Sequence, residues 1–227
     1  MAIIRATTLL VIGILPASKL KNVLLRMCGM KIALSAKIHP QIVWGSCRIS
    51  VGANSLIRPF NVIRNVKLQI GANAIIGSWN WFSAAPSLSG LDSFKGLLAL
   101  GNHSSINSRH YFDCSGGIEI GDFSGIAGIR STFLTHFVDT KESVQKCRTI
   151  SVGNYVSVSS NVCLAPGATI GNQCLIGMGS VLTFKTYPDN SFIAGVPGIV
   201  KSEISGEFFS RKIGNVAITK ANFFENN

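Results

Sequence analysis

Acidic side chains are scarce: 10 Asp plus Glu stand against 21 Lys plus Arg, and only 14% of the 227 residues carry charge. That imbalance favours anionic partners such as nucleic acid, anionic lipid or a phosphorylated small molecule. The chain lacks a long Lys/Arg block, a zinc-finger spacing and an RNP-like motif, so nucleic acid ranks last and is not expected as a partner. None of the six cysteines (Cys28, Cys47, Cys114, Cys147, Cys163, Cys174) forms a Cys-x-x-Cys pair, which points to reduced, packing thiols in a cytoplasmic protein. Long apolar runs are also missing. The stretch 2–16 contains Arg5 and closes at Pro16, short of the roughly 20 residues that span a bilayer, and no small-residue cleavage site follows it. Low charge combined with 47% hydrophobic residues excludes disorder, and the length suits one sizeable domain.

What the sequence has in quantity is glycine, 23 residues, spaced with regularity. Six stretches superimpose: ISVGANSLI (49–57), LQIGANAII (68–76), LALGNHSSI (98–106), IEIGDFSGI (118–126), ISVGNYVSV (150–158) and ATIGNQCLI (168–176). Their glycines are separated by 19, 30, 20, 32 and 18 residues, a unit near 18 with two longer intervals. From Val152 through Val158, Leu164, Ile170 and Ile176 to Leu182 an aliphatic residue recurs every sixth position. On an α-helix six residues turn the chain by about 600°, which gives no apolar stripe. One strand of that length would far exceed the usual range of about 3–10 residues. The pattern therefore predicts an all-β solenoid: three short faces per coil, period-six residues pointing to the axis, and coils stacked in parallel. Gly and Asn at the corners fit left-handed or otherwise crowded backbone.

The run VSSNVCLAPGATIGNQCLIGMGSVLT (158–183) followed by AGVPGIVK (194–201) resembles the hexapeptide-repeat acyltransferases, whose fold is the left-handed parallel β-helix. LPASKLKNVLLRMCGMKI, RHYFDCSGGIEIGDFS and FLTHFVDTKESVQ resemble the branch that O-acetylates sugars in surface-polysaccharide synthesis. The resemblance implies a β-helix over 38–201, an N-terminal arm over 1–37 and a C-terminal extension over 202–227. Surpluses of 12 and 14 residues in the two long intervals predict loops at about 82–97 and 133–149, where function concentrates on such scaffolds.

The resemblance further implies acetyl-CoA as donor, no metal, and a homotrimer acting on a sugar, nucleotide-sugar or lipid-linked saccharide. His136, in a Thr-His-x-x-Asp context, becomes the candidate general base, since an imidazole suits removal of a hydroxyl proton near neutral pH. Asp139 either orients it or caps a turn. On the acceptor side the register leaves Asn107, Arg109, His110 and Asp113 as candidates, each of which serves a backbone turn equally well. For the donor, the resemblance carries over Ser160, Met178, Gly179, Ser180, Thr183, Lys185, Pro197 and Lys201. Met178 replaces the usual Ala, and Gly-Val-Pro-Gly-Ile (195–199) lacks the customary basic residue, which Lys201 would replace.

Three other readings stand beside this one: N-acetylation of an amino sugar or antibiotic, a scaffold without turnover, and a zinc or cysteine enzyme. The last is weakest, because His39, His103, His110 and His136 show no short paired spacing. Neither Cys114 nor Cys147 has an evident base. In the arm, Leu20, Val23, Leu24 and Met27 lie at helical spacing among Lys19, Lys21 and Arg26. Docking across the open end of the solenoid is one role for that face, and shallow contact with the inner surface of an anionic membrane is the other.

Overall fold

The structure is a computed structural model that describes residues 2–89 and 96–214. Strands of two to five residues follow one another around a triangular prism, forming three sheets, here called faces A, B and C, of eight, nine and seven strands. Each strand in the coils pairs in parallel with the strand one coil before and one coil after it. On face A, Leu68 lies opposite Leu98, Leu98 opposite Ile118, and Ile118 opposite Ile150, so that successive coils place like residues on one another. The sixfold series from Val152 to Leu182 is buried throughout and belongs to one continuous core.

The corners show why the repeat needs glycine. Positive φ falls two residues after each repeat glycine, at Asn54, Asn73, His103, Phe123, Tyr155 and Gln173, and not at the glycine. At Gly52, Gly71 and Gly153 the reason is close approach, since a Cβ there would lie 2.5–2.7 Å from backbone of the next coil. The left-handed residues stack in turn: His103 on Phe123 at 4.9 Å and Phe123 on Tyr155 at 4.8 Å. Stacking of this kind offsets the roughly 1–2 kcal/mol that a left-handed non-glycine residue costs.

A second ladder runs inside the corner between faces B and C. The side chain of Gln41 accepts the backbone N–H of Asn61, Asn61 that of Asn80, Asn80 that of His110, His110 Nδ1 that of Ser131, and Ser131 that of Val162. Each coil thus satisfies a buried donor of the next.

Several expected boundaries shift. The first coil opens at Lys31–Ile32, earlier than 38. Phe82 and Phe133 are core residues on strands, so the loops begin after them. The first loop starts with a one-turn helix, Pro86–Ser89, and its residues 90–95 lie outside the described residues. The second is a hairpin of His136–Asp139 against Val144–Cys147. Beyond the last coil Ile199–Glu203 folds back antiparallel on Ser191–Ala194. Arg211 then donates to the carbonyls of Phe208 and Phe123, fixing the extension to the ring ladder. Residues 215–227 of the expected extension lie outside the described residues.

The arm forms α1 (Ala2–Gly13) and α2 (Lys19–Met27), which cover the open end of the prism. Leu9, Ile12 and Leu25 enter the core, and a Cβ on Gly13 would lie 2.8 Å from Gln41 O. In α2 the expected orientation is reversed. Lys21 and Asn22 are buried while Leu20, Val23 and Met27 are exposed. Lys21 Nζ donates to the carbonyls of Gly13, Leu15 and His39, and Asn22 Nδ2 donates to Ala36 O. The polar face turns inward because the carbonyls around the prism end need donors. Burial pushes the Lys21 ammonium down to about 8.

Candidate active site

Face C orders its strands so that Thr132–Phe133, just before the second loop, stacks on Tyr111–Asp113 of the preceding coil. This places the C-terminal end of one strand, Asp113, beneath the first residues of the hairpin. His136 Nδ1 lies 2.6 Å from Asp113 Oδ2, and the same oxygen accepts the backbone N–H groups of Thr135 (2.9 Å) and His136 (3.1 Å). Asp113 Oδ1 accepts from Ser115 Oγ at 2.6 Å. Ser115 Oγ in turn accepts the N–H of Ala85, so both loops meet at this carboxylate.

Asp113 is only 4% exposed. Burial alone would raise its pKa, but hydrogen bonds from Ser115, His136 and Thr135 bring it below the ordinary carboxylate value, so the group is an anion at neutral pH. An anion facing Nδ1 fixes the hydrogen on that nitrogen and leaves Nε2 with its lone pair free. The His136 side chain is 44% exposed, so this lone pair is open to solvent.

Of its two expected roles Asp139 therefore takes the turn cap. The Asp139 carboxylate accepts from Lys146 Nζ at 2.8 Å and from the backbone N–H groups of Lys141 and Glu142, capping the hairpin turn. Asp113, expected toward the acceptor, instead orients the imidazole. His110 does not face an acceptor either. It is a buried rung of the internal ladder, and burial lowers it to about 4, with a backbone hydrogen bond to Gly128 opposing. Asn107 and Arg109 stay exposed at the B–C edge, roughly 10 Å or more along the strand from Asp113.

The donor candidates separate onto two edges of face C. Thr183 and Lys185 follow the last face C strand, Val181–Leu182, at the edge that carries His136, and both are exposed. Ser160, Met178 and Gly179 lie at the opposite edge, where Met178 is 70% exposed and Gly179 N–H bonds Ser160 O. Ser180 is fully buried. Its hydroxyl donates to Gly177 O and accepts from Gly195 N, so it closes a turn and cannot line a donor groove. Pro197 is exposed beside Gly198, whose N–H bonds Val181 O, and Lys201 is exposed on the returning strand. One chain does not bring these two groups together.

Arg148, at the foot of the hairpin, lies 3.8 Å from the Phe184 ring centre and 5.1 Å from that of Phe137, tying the loop to the last coil. The signal for it was an arginine ending the loop next to Thr149, where the coil resumes. Cys114 is buried, and burial with the neighbouring Asp113 charge pushes its thiol well above the usual value, which disqualifies it as a nucleophile. Among the described residues no group of three His, Cys, Asp or Glu side chains could hold a metal ion, and no helix is long and apolar enough to cross a membrane.

No family model matches the chain. The galactoside O-acetyltransferase of Escherichia coli (strain K12) is 46% identical over 56 residues, 25% of this chain and 27% of that protein. That stretch is similar in sequence to an O-acetyltransferase. The likeness to that curated relative spans only about a quarter of its length. Two solved structures share the coil and with it the left-handed parallel β-helix. One is a UDP-N-acetylglucosamine acyltransferase, TM-score 0.55, 17% identical, covering 76% of this chain and 62% of that one. The other is AntD, an N-acyltransferase from Bacillus cereus in complex with dTDP and coenzyme A, TM-score 0.51, 16% identical, covering 80% and 86%. The imidazole of His136 thus sits on the loop that breaks the coil, and its buried carboxylate, Asp113, ends a strand of the preceding coil.

Proposed function

We propose that the protein is an acetyl-CoA-dependent O-acetyltransferase acting on a sugar hydroxyl in exopolysaccharide, capsule or O-antigen synthesis, working as a cytoplasmic homotrimer. The observation that carries this reading is the 2.6 Å contact between His136 Nδ1 and Asp113 Oδ2, with the imidazole exposed above it. The acceptor hydroxyl gives its proton to Nε2 as its oxygen attacks the thioester carbonyl. Asp113 stabilises the imidazolium that forms. The C–S bond breaks, and the leaving thiolate takes the proton back from Nε2. No acyl-enzyme is needed when both substrates are held together.

The acceptor has a bed on face C. Tyr111 and Trp81 pair in register on its outer surface, both exposed, on and beside the strand that ends at Asp113. Ring faces of this kind attract the C–H bonds of a pyranose, and Arg109 at the corner suits a phosphate of a nucleotide- or lipid-linked sugar. The donor residues fit acetyl-CoA best when split between protomers: Thr183 and Lys185 from the chain that supplies His136, and Ser160, Met178, Gly179, Pro197 and Lys201 from a neighbour.

The N-acylating neighbour names the second reading, transfer to an amine. A hydroxyl needs a base more than an uncharged amine does, and the buried anion behind His136 favours the hydroxyl. Acetyl-CoA offered with a panel of saccharides and amino sugars, with thiol release followed, tests this. Release with neutral saccharides is expected, and His136→Ala lowers it at least about a hundredfold. Release with amines alone establishes the second reading, and inertness throughout overturns both.

A further inference from the structure

The reversal of α2 leaves an apolar stripe facing out. Leu20, Val23 and Met27, spaced i, i+3 and i+7, are 66%, 42% and 79% exposed on the side opposite the buried Lys21, Asn22 and Leu25. Val11 and Ile14, at the end of α1 and in the turn that follows it, are each 55% exposed at the same end of the prism. A helix that buries a lysine and presents leucine, valine and methionine to water is inverted with respect to the hydrophobic effect, unless the outward face is covered in use.

Charge identifies the cover. The first acidic residue of the sequence is Asp92, whereas ten of the 21 Lys and Arg precede it, so nearly all of the net charge of +11 resides in the first 91 residues. Lys19 and Arg26 flank the stripe on α2 itself. Lys31 and Lys37 are exposed on the first coil beside it, and a depression at the start of α2 is lined by Lys19, Leu34 and Lys37. A second copy of the chain, meeting this face with its own, would set cation against cation with no acid within the first coils to answer them. A surface of anionic lipid supplies both an apolar layer for the stripe and phosphates for its rim. We infer that the α1–α2 end of the prism seats shallowly on an anionic membrane surface, with Leu20, Val23 and Met27 entering the acyl boundary. The inference rests on no step of the acetyl transfer.

Flotation of the full chain with vesicles of phosphatidylcholine alone, and of phosphatidylcholine mixed with phosphatidylglycerol, tests it. Binding is expected to the mixed vesicles, weakening as salt is raised. The triple variant Leu20→Ser, Val23→Ser, Met27→Ser should lose about tenfold or more in partition, with circular dichroism and thiol release from a water-soluble acceptor unchanged. Lys19→Glu with Arg26→Glu, which touches no apolar residue, should abolish the preference for the mixed vesicles. Equal binding of the triple variant, or equal binding to neutral and mixed vesicles, overturns the inference. So does failure to bind either vesicle while the triple variant changes the sedimentation mass, which assigns the face to a second copy.

Discussion

A single aspartate separates two descriptions of the site. Asp139 follows His136 by three residues in sequence, but its carboxylate is taken by Lys146 and by two turn amides. Asp113 is 23 residues away along the chain and touches the ring because one coil brings the strand ending at Asp113 against the strand before the hairpin. Asp113→Asn keeps the shape but replaces the anion behind Nδ1, and should lower kcat by about 10²–10⁴-fold with little change in KM. Asp139→Ala should lower it by less than about tenfold, because only a surface turn cap is lost. Steady-state kinetics on both variants decide between them, and the opposite order would return the orienting role to Asp139.

At the scale of the element, the internal ladder explains a histidine that sequence alone placed among acceptor residues. Asn61, Asn80, His110 and Ser131 occupy equivalent corners, so His110 does with Nδ1 what asparagine does one coil below. Its pKa of about 4 in the folded chain, against 6.5 in the unfolded one, gives this rung a pH signature. Between those values the unfolded chain binds a proton that the folded chain does not, so stability present above pH 6.5 is lost as pH falls toward 4, by about 3 kcal/mol. His110→Asn retains the acceptor for Ser131 and removes the titration. Urea unfolding of both proteins from pH 7 to 4 should show a shallower loss in the variant.

At the scale of the whole molecule, the residues proposed for the donor lie on both edges of face C, so the proposed site takes its two halves from two chains. Co-expression of His136→Ala with Met178→Glu checks this. If sites are shared between protomers, random mixing restores about a quarter of the wild-type turnover, since some sites take an intact half from each chain. A site built within one chain restores none. Charge is divided on the same scale, with the basic first half carrying the outward stripe of α2 and all ten acidic residues lying from Asp92 onward.

The sequence by itself determined the coil. Period six is incompatible with a helix, glycine recurs where backbones crowd, and the lengths of the two surplus intervals place the loops and put His136 in one of them. These are local or periodic constraints, readable from spacing. Only the tertiary structure decided which carboxylate meets the imidazole, that Ser180 closes a turn, and that α2 buries Lys21 and shows Leu20 to solvent. Those outcomes depend on which residues of different coils become neighbours and on which carbonyls at the prism end lack donors. A parallel stack sets both through its register, and each loop inserted into a coil shifts that register along the sequence without marking where the partner lies.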